Sequence, residues 1–297
     1  MAAANKPSLD TLGEIFRFAV RRFRAARLAY GHGTTNARDE AAFLVLEALR
    51  LPIDRLDPYL DLKPTAAERA RLLTLIDARV SLRLPAPYLV GAAYMHGVRF
   101  EADRRALIPR SFIGDMLADV VLPIGDPSRI RRVLDLCTGS ACLAILAAFA
   151  FPRARIDATD LSAAALALAR RNVTAHRLCD RIALHRGDLF KPLAGRRYDL
   201  VLSNPPYVDA KGMARLPPEY RHEPRLALAA GDDGLDLVRR ILQETPRHLT
   251  PNGALLCEIG RGRKLLEAAF PRLPLLWLDT EQSAGEVFWI TRQDLAG

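Results

Sequence analysis

The chain has 297 residues, 50% of them hydrophobic and 26% charged, enough for one large or two modest domains with a substantial core. That balance is an ordinary globular one rather than that of a disordered chain. The net charge of +9 invites a nucleic-acid partner, yet only five of the 43 basic residues are lysines. A bias towards arginine and alanine is what a GC-rich coding background produces, so contact with RNA is permitted rather than demanded.

The longest apolar stretch, Cys142 to Phe151, is too short to cross a bilayer. The N-terminus lacks the apolar core of a signal peptide, and Glu14 with the arginines after it breaks such a reading, so a cytoplasmic location is expected. Cys137, Cys142, Cys179 and Cys257 form no C-x-x-C pair, and the histidines show no H-x-x-x-H spacing. Free thiols in a reducing compartment, and no metal site, are the expectation.

In chain order, Leu9, Leu12, Ile15, Phe16, Ala19, Val20 and Phe23 recur at helical spacing, with Ser8 placed to cap the first turn. A second helix runs from about residue 37 to 49, before Pro52. A third opens with the capping-box pattern Thr65-Ala66-Ala67-Glu68 and continues through Leu72, Ile76 and Val80. Amphipathic helices need partners, so residues 1–86 predict a small helical bundle. Pro85 and Pro87 punctuate the chain, and residues 88–100 read as an extended segment or hairpin within a linker over 87–107.

From residue 108 strands and helices alternate. Apolar strands are expected at 133–136, 156–159, 182–184, 200–203 and 255–259, with helices at 143–149 and after Ser162. The runs 275–278 and 287–291 suit a final antiparallel pair. Repeated β-α-β units imply an α/β fold with a mostly parallel, doubly wound sheet, whose ligands sit at the carboxyl ends of the strands.

Three of those strand ends suit one nucleoside-like ligand. Asp135 leads into the small-residue turn Cys137-Thr138-Gly139-Ser140, where backbone N–H groups at a helix start can face a ligand. Asp160 ends the next strand, where a carboxylate typically receives two ribose hydroxyls. Asp188, followed by Leu189, ends the third and is placed to accept from an adenine amino group. Each alone is an ordinary loop residue; three in succession are harder to dismiss.

The fourth strand ends in Ser203-Asn204-Pro205-Pro206-Tyr207. A planar NH2 group conjugated to a carbonyl or ring is a poor nucleophile, because its lone pair is delocalised. Two acceptors that engage both N–H protons align the nitrogen and favour lone-pair development towards a methyl electrophile. The Asn204 side-chain oxygen supplies one acceptor and the Pro205 carbonyl the other. Consecutive prolines fix the backbone so that little ordering remains at reaction time. Tyr207 offers a flat face for the substrate group. No strong base is needed before attack, since the alkylated nitrogen becomes acidic and loses its proton afterwards.

At these residues the chain resembles class I methyltransferases of the protein-(glutamine-N5) family, the HemK-like group. Leu107-Ile108-Pro109-Arg110, Glu223-Pro224 and Ala230-Gly231-Asp232-Asp233-Gly234-Leu235 extend the resemblance over nearly the whole chain. Within the group, Tyr30-Gly31-His32-Gly33-Thr34, Pro109-Arg110-Ser111 and Glu219-Tyr220-Arg221-His222-Glu223-Pro224 look like the branch that acts on ribosomal protein uL3. The release-factor branch usually has Pro-Arg-Pro followed by acidic residues where this chain reads Pro109-Arg110-Ser111.

The resemblance implies a Rossmann-like domain over 108–297 with a seven-stranded sheet, and a substrate-recognising role for residues 1–86. It implies methyl transfer from S-adenosylmethionine to a glutamine side-chain amide of uL3, free or in a ribosomal precursor, with rRNA contact allowed and neither membrane nor metal involved. Asp135, Cys137, Thr138, Gly139, Ser140, Asp160, Asp188, Leu189 and Asn204 would border the cofactor, and Asn204, Pro205, Pro206, Tyr207 and Arg110 the substrate. One departure stands out: Ala141 replaces the usual second glycine of the cofactor loop.

Three alternatives share parts of this pattern. The same reaction on a peptide-release factor is one. Methylation of an exocyclic amino group in DNA is another, although such enzymes commonly need a pocket for a flipped base and a target-reading domain. An idle RNA-binding or assembly protein is the third, against which the intact Asn204–Tyr207 element argues.

Overall fold

The computed structural model describes residues 9–119, 122–280 and 283–296. By its internal contacts the chain divides into two compact units, residues 1–93 with 217–222 and residues 94–216 with 223–297.

The first unit is helical: α1 (Leu12–Ala25), α2 (Ala37–Ala48), α3 (Ala66–Ser81) and the short α4 (Ala86–Val90). Ser8 lies outside the described residues. The cap of α1 is Thr11, whose hydroxyl accepts from Glu14 N while the Glu14 carboxylate accepts from Thr11 N. Thr65 and Glu68 do the same for α3, as the sequence pattern predicts. Leu12, Ile15, Phe16, Ala19 and Phe23 form the buried stripe of α1 and pack against Leu44, Val45, Leu72 and Ile76. Residues 86–90 are helical rather than extended: Pro87 suits a first turn and Gly91, at φ +74°, closes the helix in the left-handed region.

Two of the stretches quoted for their family resemblance meet inside this unit. The His32 ring lies 4.3 Å from that of Tyr220, and the Tyr220 hydroxyl donates to the Tyr30 carbonyl at 3.3 Å. Gly31, at φ +123°, leaves no room for a side chain beneath that hydroxyl. Glu219 is fully buried, accepts from Ala29 N at 3.0 Å and pairs with Arg83 at 3.0 Å. Arg79, also fully buried, pairs with Glu40 at 2.6 Å. Removing one member of such a buried set leaves its partner uncompensated, at a cost of about 3–5 kcal/mol.

The hairpin β1 (Ala92–Met95) and β2 (Val98–Glu101), within which the division falls, precedes the second unit's α5 (Phe112–Ala118). The core then runs β3 (Arg132–Leu136), α6 (Cys142–Ala150), β4 (Arg155–Asp160), α7 (Ala163–Ala175), β5 (Ile182–Arg186), β6 (Tyr198–Ser203), α8 (Ala210–Arg215), α9 (Asp236–His248), β7 (Leu249–Glu258), α10 (Arg263–Ala269), β8 (Leu276–Leu278), β9 (Val287–Thr291) and α11 (Arg292–Ala296). The seven strands β3–β9 form one sheet in the order β5-β4-β3-β6-β7-β9-β8. Only β9 runs against the others, pairing antiparallel with β7 and β8.

Burial on both faces explains why these strands read as continuous apolar runs. Val133, Leu200, Leu202, Ala254 and Leu256 face one core with α6 and α7, whereas Leu134, Val201, Leu255 and Ile290 face the other with α9. The strand order reverses between β3 and its neighbours β4 and β6, which opens a crevice at their carboxyl ends.

Candidate active site

That crevice is lined by Leu107–Ser111, by Asp135 and the turn Cys137–Ser140, and by Asn204. Segments nearly a hundred residues apart in the chain thus form one cleft. Asp160, Asp188, Leu189 and residues 205–207 do not line it.

The turn after β3 is built from left-handed residues. Cys137, Gly139 and Ala141 have φ of +58°, +56° and +65°, and Leu189 after β5 has +48°. Non-glycine residues in this region carry strain of order 1 kcal/mol, which tends to collect at ligand sites. Ala141 is buried and caps α6 in this conformation, which explains why glycine suits the position. Thr138 N donates to the Thr159 carbonyl at 3.0 Å and Gly139 N to Asp160 Oδ2 at 2.9 Å, locking the turn onto the end of β4.

Asp135 is buried at the end of β3. Its Oδ2 accepts from the Thr138 hydroxyl and from Ala144 N, while Oδ1 has no hydrogen-bond partner among the described residues. Burial pushes the carboxyl up to about 7 against the lowering effect of the Thr138 bond. An orphaned carboxylate oxygen in a cleft wall is suited to a cationic or hydroxylic group. Asp160, mostly buried, is also raised by burial; its two oxygens accept from Gly139 N and from Ser162 N at 2.8 Å. Asp188 differs: its carboxylate pairs with Lys191 at 2.7 Å and Arg240 at 2.8 Å, and the Lys191 contact leads the causes that hold it below the usual range.

Asn204 follows β6 directly. Its Nδ2 donates to the Arg110 carbonyl at 3.3 Å. A carbonyl only accepts, so the orientation of the amide is determined, and Oδ1 is left without a donor among the described residues. The Pro205 carbonyl likewise receives no hydrogen bond among them. Pro205 and Pro206 are buried, and Tyr207 is mostly buried with its hydroxyl 3.3 Å from Glu258 Oε1. One side of the Tyr207 ring lies against Gly260, where a Cβ would fall 2.7 Å from Cε2.

Two carboxylates absent from the sequence-based site complete the frame. Glu223 forms a two-pronged pair with Arg110, 2.6 Å at each oxygen, and accepts from Ile108 N at 3.0 Å. Glu258, at the end of β7, accepts from the Ser111 hydroxyl at 2.6 Å, from Phe112 N at 2.9 Å and from Tyr207. Burial raises it to about 7. A glutamate ending the apolar run Leu255-Leu256-Cys257 is the same signal that marks Asp135, and it would have found this residue.

A seven-stranded sheet in this order, with a cleft at its switch point and an Asn-Pro-Pro-Tyr turn after the fourth core strand, defines a class I methyltransferase. The Methyltransferase small domain family matches residues 115–216. The ribosomal protein uL3 glutamine methyltransferase of Bradyrhizobium diazoefficiens is 55% identical over 99% of this chain and 95% of its own length. That of Bordetella pertussis is 52% identical over 98% of each chain. Among solved structures, the hMettl16 catalytic domain in complex with a MAT2A 3'UTR hairpin covers 79% of this chain and 83% of its own, at 18% identity and a TM-score of 0.49. The chain belongs to the ribosomal protein uL3 glutamine methyltransferase family, and membership with this fold implies S-adenosylmethionine as methyl donor.

Proposed function

We propose that the protein transfers a methyl group from S-adenosylmethionine to the side-chain amide nitrogen of a glutamine in ribosomal protein uL3. The observation that carries the chemistry is the orientation of Asn204: its NH2 is committed to the Arg110 carbonyl, so its oxygen is the free end. With the Pro205 carbonyl it offers two acceptors for the two N–H protons of one amide. The bound cofactor supplies an electrophilic methyl group; everything else is positioning by this chain. The two acceptors withdraw proton density from the amide nitrogen and raise its nucleophilicity as the new bond forms. The proton lost afterwards comes from a nitrogen already made acidic by alkylation.

Asp135 is assigned to the cationic end of the cofactor and Asp160 to its ribose, with Cys137, Thr138, Gly139 and Ser140 as the backbone cradle. The orphaned Asp135 Oδ1 and the left-handed turn support that assignment. Asp188 and Leu189 border the base, although the two ion pairs of Asp188 make it a scaffold as much as an acceptor. Tyr207, held by Glu258 and backed by Gly260, anchors the prolines and presents its remaining face to the substrate. Arg110 borders the substrate through the backbone that holds Asn204. Residues 1–86 recognise the substrate, 87–107 link and 108–297 catalyse; a ribosomal-protein substrate places the reaction in the cytoplasm.

The test is methyl transfer from radiolabelled S-adenosylmethionine to purified uL3, a peptide-release factor and DNA in parallel. Label in glutamine of uL3 is expected. Label in the release factor alone, in DNA alone, or nowhere would overturn the assignment.

A further inference from the structure

The amino ends of the core strands, at the opposite edge of the sheet from the cleft, carry a basic row that methyl transfer does not use. Arg131 and Arg132 lie at β3, Arg153 and Arg155 at β4, Arg177 ahead of β5 and Arg197 ahead of β6. All six are exposed, and none forms an ion pair among the described residues. At the carboxyl-end edge Arg110, Arg239 and Arg240 are each matched by a carboxylate, while Arg186 and Arg261 stand singly there without an ion pair among the described residues. What sets the amino-end edge apart is that its six unpaired arginines run across four adjacent strands, β5-β4-β3-β6.

The row borders a recess of about 540 Å³ lined by Arg132, Arg155, Arg181 and Arg196. The Arg181 guanidinium is fixed there by the carbonyls of Ala148, Phe151 and Ala154, at 2.7–3.2 Å, and has no carboxylate partner among the described residues. Of the nearby carboxylates, Asp157 is committed to Arg196, His185 and Tyr198 and Asp199 to the backbone of Arg131 and Arg132. That leaves the exposed Asp180 as one negative charge among the basic groups of the recess. At the same edge, the end of α6 presents Phe149, 47% exposed, with His176 5.9 Å away.

We propose that this edge binds the phosphate backbone of RNA. Neighbouring strands lie about 4.8 Å apart, so a row from β5 to β6 spans roughly 15 Å. That is the reach of several successive phosphates rather than of one small anion. Exposed guanidiniums grip phosphate oxygens in pairs, and an exposed aromatic among them gives an unpaired base a surface to stack on. The placement leaves the cleft at the carboxyl ends open while RNA is held.

The test uses the full-length protein and a fluorescein-labelled RNA hairpin with a single-stranded loop, followed by anisotropy from 50 to 250 mM KCl, and needs no methyl transfer. The wild-type protein should bind with a steep salt dependence. The variant Arg132→Ala/Arg155→Ala/Arg197→Ala, whose changes are all at the surface, should bind at least about tenfold more weakly, with a log–log salt slope shallower by about 2–3. Cys179 lines the recess and is exposed, so its alkylation should slow several-fold under saturating RNA. Wild-type affinity and slope in the variant, or unprotected Cys179, would overturn the proposal. So would a polyglutamate peptide that outcompetes the RNA, since that result assigns the edge to an acidic protein.

Discussion

Asn204 and Arg110 are joined by one hydrogen bond, from the Asn204 side-chain nitrogen to the Arg110 carbonyl at 3.3 Å, and that bond decides which end of the amide faces the cleft. On the proposed reaction, Asn204→Ala removes one of the two acceptors for the substrate amide while leaving Asp135 and the turn after β3 untouched. Its kcat should fall by a factor on the order of a hundred or more, as for other preorganised polar groups in reaction centres. Cofactor affinity, read by calorimetry, should stay within about twofold. A large loss of cofactor binding would refute this division of labour.

Glu223 acts on the same amide through Arg110. Its two bonds of 2.6 Å hold the guanidinium, and its third, to Ile108 N, holds the segment whose carbonyl orients Asn204. Glu223→Gln keeps the shape, but one prong becomes a donor facing a donor. The expected result is a drop in kcat of about tenfold with KM for uL3 little changed, and a smaller drop in thermal stability than Glu223→Ala causes. A change confined to KM would place Glu223 in substrate binding.

The Asp135 carboxyl sits at about 7 because burial disfavours its charge. If Asp135 holds the cationic end of the cofactor as proposed, its charged form is the one that binds, so affinity should rise with pH through 7. If only that form binds, the dissociation constant should tighten about tenfold between pH 6 and pH 8. Asp135→Asn should bind weakly and without this pH dependence. An unchanged pH profile in the variant would remove Asp135 from the cofactor's charge.

Ala141 occupies a left-handed position with its methyl group buried. Replacement by glycine relieves the backbone strain but frees the unfolded chain, two terms of similar size and opposite sign. The strain of a left-handed alanine, about 1–2 kcal/mol, is the larger, so Ala141→Gly should raise stability by roughly 0.5 kcal/mol. Cofactor affinity should not fall. A lower Tm would mean that the methyl group fills space the turn needs.

Legibility in the sequence followed the range of the interactions. Caps such as Thr65–Glu68 and Ser162 act within four residues and are readable directly. The two-sided burial of β3 and β6 left apolar runs that named the sheet, and Asp135 and Asn204 stood out as polar residues ending them. The cap of α1 falls at Thr11 rather than Ser8 because Leu9, two residues before Thr11, fits the helical period without belonging to the helix. Glu258 ends an apolar run as Asp135 does and is legible on that ground, whereas its pairing with Ser111, and that of Glu223 with Arg110, spans more than a hundred residues and no local pattern carries it. The contact of Tyr220 with His32 is long-range in the same way.

Glu258 is the other buried carboxyl raised to about 7, and it ties Ser111, Phe112 and Tyr207 together. Because its folded-state value lies above the unfolded one, the folded protein holds this proton more tightly. Its favourable contribution is therefore complete at low pH and is lost as pH rises from the ordinary glutamate range through about 7. Glu258→Gln mimics the protonated form: its oxygen can serve Ser111 and Phe112, and its nitrogen can donate to the Tyr207 hydroxyl. The variant should gain on wild type as pH rises from 5 to 8, by up to about 3 kcal/mol in denaturant titrations. Activity should largely survive in Glu258→Gln and drop at least tenfold in Glu258→Ala, which frees both Tyr207 and the start of α5. A stability gap between Glu258→Gln and wild type that stays constant across this pH range would show that the carboxyl does not titrate there.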